Sequence, residues 1–402
     1  MRQSSWRTPL VVLAFGSAML AISVGIRHGF GLFLQPMSVE HAWGREVFGL
    51  AIAIQNLVWG AALPFTGMLV DRYGAGRTAI VGCVFYVVGL ILMAHSHTGL
   101  MLMLSAGVLI GIGLSCTTFS TVFAAIGRSL PAEKRSMAFG IAGAVGSLGQ
   151  FLFMPIELGF IAWFGWSTAL MLLALIALLI IPLSTALFDD AREPSASTDL
   201  TIMGALREAG KHRGFILLSA GYFVCGFHVT FIGTHLPAYL ADQGLSAGVA
   251  TTTLALVGLV NVFGSYMAGS LGSRWRKPAI LTGIYAFRAV SITLFAFIIP
   301  LTEWSAYGFG IAMGLTWLAT VPLTSGTVAS IFGVKNMSML AGITFFCHQV
   351  GAFLGGWMGG RLYDTTGSYD IVWMVAVGLG VVAALLSWPV SERPVARLAA
   401  TG

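Results

Sequence analysis

Charge is scarce in this chain. Only 9% of its 402 residues are Asp, Glu, Lys or Arg, against roughly 25% in an ordinary soluble domain. So few charges cannot wet the surface of a water-soluble protein this long, which leaves lipid to cover it. Acids are the scarcer sign, 15 against 21 Lys and Arg. Cysteine is rare as well. Cys83, Cys116, Cys225 and Cys347 all fall in apolar segments without metal-ligand spacing, and so read as packing residues rather than disulfides or a metal centre. No Walker-type phosphate loop is present, which excludes ATP as the fuel. No paired carboxylates and no nucleophile beside a base occur in a polar region, so neither an enzyme nor a cofactor is expected. The opening residues, with Arg2 and Arg7, run into an apolar stretch too long for the core of a signal peptide, so a retained first helix is expected.

What is abundant is apolar sequence, 57% of the chain, with 51 glycines. A bilayer core takes about 20 apolar residues per helix. Twelve segments of that kind are predicted, at 9–36, 46–70, 78–96, 99–127, 137–161, 166–188, 214–240, 247–272, 278–299, 303–331, 338–362 and 369–390. With the N-terminus inside, the inner loops hold seventeen cations, among them Arg72, Arg77, Arg128, Lys134, Arg135, Arg207, Lys211, Arg274, Arg276 and Lys277. The outer loops hold only Arg45 and Arg361. This asymmetry predicts a multi-pass membrane protein with both termini cytoplasmic. It also accounts for the formal charge of +6 without any nucleic acid partner.

The polar stretch from Asp189 to Arg213, with one short helix expected near Met203 to Lys211, divides the spans six and six. The predicted organisation is a bundle at 1–190, a cytoplasmic linker at 191–212 and a second bundle at 213–402. The halves align at an offset near 202 residues. Gly67, Asp71 and Arg72 match Gly269, Ser273 and Arg274; Gly140, Gly149 and Gly165 match Gly342, Gly351 and Gly367. Pro36 matches Pro237, which sets Arg27 opposite His228.

The segment from Gly67 through Asp71, Arg72, Gly74 and Gly76 to Arg77 resembles the loop between spans 2 and 3 of the major facilitator superfamily. That resemblance covers nearly the whole chain through span count, linker and repeat. It implies an all-α membrane protein of twelve transmembrane helices, two six-helix bundles related by a pseudo-two-fold axis, acting as a monomer. It also implies a central cavity lined chiefly by spans 1, 4, 7 and 10. Asp71, Arg72 and Arg77 then read as a gating latch, with Asp71 free to pair with a basic residue or a helix N-terminus.

Ionisable groups inside lipid are costly and mark a pathway. Arg27 and His28 fall in span 1, His228 and His235 in span 7, Arg288 in span 9 and His348 in span 11. Of the acids, only Glu157 lies clearly within a span. A positive cavity short of carboxylates attracts an anion. Arg27 leads the candidate ligands; the competing reading pairs it with Glu157. Gln55 and Asn56 add neutral polar groups, and the histidines are candidates for proton coupling.

The expectation is therefore a secondary active transporter of a small organic anion, coupled to protons or a counter-anion by symport or antiport. Residues from Arg27 to Pro36, Gly49 to Gly60 and His348 to Asp370 resemble bacterial monocarboxylate and oxalate/formate carriers, which implies a monocarboxylate and the cell inner membrane. Those carriers hold a cation in span 8, whereas Asn261 to Ser273 holds none. Proton-coupled efflux of amphipathic drugs is the alternative, and it lacks the membrane-centre acids and the full span 5 motif typical of such exporters.

Overall fold

The computed structural model describes residues 6–188, 202–333 and 337–395. Among them are twelve helices able to cross a membrane. Spans 1 to 6 are Pro9–His28, Arg45–Tyr73, Ala75–Ala94, Gly99–Ser129, Met137–Phe164 and Trp166–Leu187. Spans 7 to 12 are Arg213–Asp242, Ala247–Arg274, Lys277–Ile298, Glu303–Phe332, Met339–Thr366 and Asp370–Ser387. Helix is the form these segments take because lipid offers the backbone no hydrogen bonds, so each must satisfy its own. The short helix expected before span 7 is present at Ile202–Lys211. The rest of the predicted linker, residues 191–201, lies outside the described residues.

The spans pack as two matching sets. Span 1 lies on 5, and span 3 on 4 and 6; span 7 lies on 11, span 8 on 10, and span 9 on 12. The sets meet along two seams, span 2 against 11 and span 5 against 8. The repeat exchanges these seams, as a pseudo-two-fold axis requires.

Both seams are closed toward one end and parted toward the end where span 1 begins and span 12 ends. In the closed part, Gly49 approaches the backbone of Gly356 too tightly for any side chain, and Gly258 fits against Gln150 and Phe151. Toward the termini, Gly67, Gly140, Gly143, Gly269 and Gly342 have nothing within 4 Å of where a Cβ would stand. Gly149, by contrast, lies on the backbone of Ala21. Glycine thus permits close helix approach in the closed part, while the same residue type farther along faces open space.

Among the described residues four spans are interrupted, span 6 among them, between Ala177 and Ile180. Span 1 breaks after His28 and resumes as Gly31–Glu40, although the sequence predicts one continuous segment. Span 4 breaks at Thr118, and span 10 between Thr316 and Thr320, positions that match across the repeat.

Candidate translocation site

Arg27 stands at the break of span 1, where the helix is released. Its Nη2 donates to Asn56 Oδ1 at 2.5 Å, and its guanidinium lies 5.1 Å from the ring of Trp59, also on span 2. Its Nε is buried without a partner. Glu157 does not neutralise it, since neither carboxyl oxygen of Glu157 has a hydrogen-bond partner. From the other half, Phe345 meets Trp59 edge-on at 5.7 Å, and His348 stacks on Phe345 at 5.6 Å. Tyr222 packs on His348 at 4.7 Å. An arginine, an amide and an aromatic wall therefore span both halves at mid-depth.

Arg288 is fully buried although span 9 is peripheral. It reaches inward to the break in span 10, where Nη2 donates to the carbonyls of Thr316 and, at 2.8 Å, Trp317. Its Nε donates to Thr316 Oγ1 at 3.3 Å. The break frees these carbonyls from the helix, and the guanidinium collects them. Its Nη1 is left unpartnered.

The other expected residues separate. Asn56 and His348 belong to the group around Arg27. His28 donates from Nδ1 to its own helix at the Val24 carbonyl, 2.7 Å away. Gln55 turns to span 4 and donates to the Ala106 carbonyl at 2.7 Å. His228 turns to span 12 and donates to the Ala376 carbonyl at 2.8 Å. His235 lies at the closed end, donating to the Gly356 carbonyl at 2.8 Å. At the parted end, Asp71 sits 3.8 Å from Arg128 of its own half and is well exposed. Arg72 rests against Tyr73, 5.3 Å to the ring, and Arg77 is exposed. Among the described residues no group of three His, Cys, Asp or Glu side chains could hold a metal.

A lock that sequence reasoning did not assemble closes the opposite end. Arg45 donates two bonds of 2.6 Å to Asp242 and one of 3.1 Å to the Tyr369 hydroxyl. Its guanidinium lies 3.7 Å from the ring of Tyr363. The backbone N–H groups of Arg45 and Glu46 donate to Asp364 at 2.9 and 2.8 Å. Glu46 in turn accepts from Trp357 at 2.9 Å and from Arg361 at 3.0 Å. Every one of these bonds crosses between the halves. Burial raises the Tyr369 phenol above its ordinary range, so it remains protonated. Its oxygen also lies 3.2 Å from His235 Nδ1, which extends the lock inward.

The family model described as Major Facilitator Superfamily matches residues 11–356 and 218–401. The chain belongs to the Major Facilitator Superfamily. Superfamily members are transporters rather than enzymes, and this one is a multi-pass membrane protein. It is 25% identical over 403 residues to the uncharacterised MFS-type transporter YcxA of Bacillus subtilis, with 96% of each chain covered. It is 26% identical to monocarboxylate transporter 11 of Mus musculus, covering 91% of this chain and 83% of that one. In fold it is similar to a bacterial homologue of the human lysosomal transporter Spinster, solved in an inward-facing and occupied conformation. That likeness has a TM-score of 0.74 at 14% identity, with 97% and 98% of the chains covered.

Within this superfamily member, the sequence did carry a clue to the lock. Arg45 and Arg361 are the two cations on the sparsely charged side, each within three residues of an acid. What it lacked was the meeting of four separate segments at one point.

Proposed function

We propose that this protein carries a small organic anion, a monocarboxylate, through the membrane by rocking residues 1–190 against residues 213–402, joined by a linker at 191–212. The observation that carries this reading is Arg27. It is a guanidinium at mid-depth, bound to one neutral amide, uncompensated by any carboxylate among the described residues and faced by aromatic residues of both halves. A carboxylate guest would supply the charge-assisted bonds that Arg27 lacks. The names of the monocarboxylate relatives favour the same substrate class. Asn56 and His348 would orient the guest, and Arg288 would shape the far wall through the broken span 10.

The distribution of Lys and Arg supports cytoplasmic termini and the inner membrane. The parted end would then face the cytoplasm and the Arg45 lock the outside. Asp71, Arg72 and Arg77 would act in the alternate state, once that end has closed. One chain is a complete unit in this scheme, driven by protons or by exchange for a second anion.

Uptake into proteoliposomes of labelled acetate, lactate, pyruvate and oxalate tests the reading. At least one is expected to accumulate, and Arg27→Ala should lower its uptake by about 30-fold or more, the scale for stranding a buried charged partner. Transport of a cationic dye in place of all four would overturn it.

A further inference from the structure

Glu157 has no role in the scheme above, and its surroundings are unusual. It is wholly buried in span 5. Among the described residues it is the acid placed well away from any span end. Neither carboxyl oxygen has a hydrogen-bond partner. The carboxyl rests on the backbone of Gly29, so closely that no side chain fits at position 29. Gly29 is the residue at which span 1 breaks, two positions past Arg27. Tyr86, bonded to the Ser23 carbonyl at 2.9 Å, lies within electrostatic reach of both Arg27 and Glu157.

An acid and a cation thus lie two residues apart along the break of span 1, in an apolar setting, and make no ion pair. An ionised carboxylate there, with no donor at either oxygen, would be left unsolvated. It would be drawn to the guanidinium two residues back along span 1, whose Nε is itself unpartnered. The packing on Gly29 accepts the neutral acid. We propose that Glu157 carries the coupling proton, and that its carboxylate and the substrate anion take turns as the partner of Arg27. This rests on the anion reading given above.

The exchange balances. With the anion on Arg27, Glu157 keeps its O–H bond and lies on Gly29, where its side chain stands in this structure. When the anion leaves through the open end, that O–H bond breaks, its proton passes to water, and the carboxylate swings to Arg27. Loading reverses each step, so one proton travels with each anion, and in each of these two steps the guanidinium exchanges one counter-charge for another.

The neighbours of Glu157 leave little else to titrate at this depth. Span 1 brings Arg27 and His28, and His28 is bonded to its own helix. Span 3 brings Tyr86. Two buried thiols turn elsewhere, Cys83 of span 3 to the Ala177 carbonyl and Cys116 of span 4 to Thr66; span 6 brings no ionisable side chain, and spans 4 and 8 otherwise bring Arg128, Tyr266 and Arg274 only toward the parted end.

Two measurements on the full chain in proteoliposomes test this. Infrared spectra at neutral pH should show a protonated-carboxyl band that Glu157→Gln removes. With the labelled monocarboxylate that the wild type moves, one coupled proton gives about tenfold accumulation per unit of pH gradient. Glu157→Gln should accumulate none, yet still exchange labelled for unlabelled anion. Glu157→Asp, the second variant should the amide fail to fold, should restore coupling with a displaced pH profile. Gradient-driven accumulation by Glu157→Gln, or an unchanged infrared band, overturns the proposal while leaving anion transport standing. A wild type that moves none of the four anions overturns both.

Discussion

Two guanidinium groups lie inside this bundle, and their partners differ in kind. Arg288 holds two freed carbonyls and a hydroxyl at the break of span 10. Arg27 holds one amide oxygen and the face of an indole. Arg288 is thereby built into the fold, whereas Arg27 is left with bonding capacity unused, which the proposed function assigns to a guest. Lysine keeps the charge of Arg288 but cannot fork across two carbonyls. Arg288→Lys should therefore lower stability by about 2 kcal/mol, read as earlier thermal unfolding in detergent, whereas Arg27→Ala should unfold close to wild type. The sequence disclosed which charged residues lie in the membrane, because hydropathy alone decides that. It could not disclose where each turns. His228 and His235 occupy the same helix, yet one bonds span 12 and the other joins the lock. That choice depends on the angle around the helix and on neighbours distant in sequence.

At the scale of elements, the seams decide what can move. Spans 2 and 11 run antiparallel and touch from Gly49 and Gly356 to Trp59 and Phe345, then part. Across the other seam, Asn261 donates to Ser147 at 2.9 Å, and Gln150 to the Leu254 carbonyl at 3.2 Å. The lock at the closed end adds five charged side chains of both signs from the two halves. Removing its central member by Arg45→Ala should let that end open. Spin labels at Val39 and Gln243, both exposed and on opposite halves, should then gain a longer distance component. An unchanged distribution would mean that the glycine contacts alone hold the seam. The twelve spans were legible because each is a long apolar run. The break in span 1 was not: Gly29 gave no more signal than many other glycines, and its meaning lies in the carboxyl resting on it.

For the whole molecule, the proposed rocking makes closing one end and parting the other a single rigid motion about the mid-depth site. Phe65 and Gly342 lie at matching depth on spans 2 and 11 and are both exposed at the parted end. Cysteines placed there should cross-link poorly in the present state. Adding Arg45→Ala should raise the yield by about tenfold, the shift that about 1.4 kcal/mol produces. The repeat made the two-bundle plan legible in advance, since matched glycines and loops recur at one offset; which end is shut depends on side chains that the repeat does not match. One detail of that shut end has its own energetic consequence. Gly44 begins span 2 without a side chain to bind the first free amides of the helix, and Asp364 of the other half does this instead. Span 2 thus borrows its N-cap in trans. Under the proposed rocking, separating the halves there would leave the first turn to fray or recruit water, at a cost of about 1 kcal/mol that opposes opening.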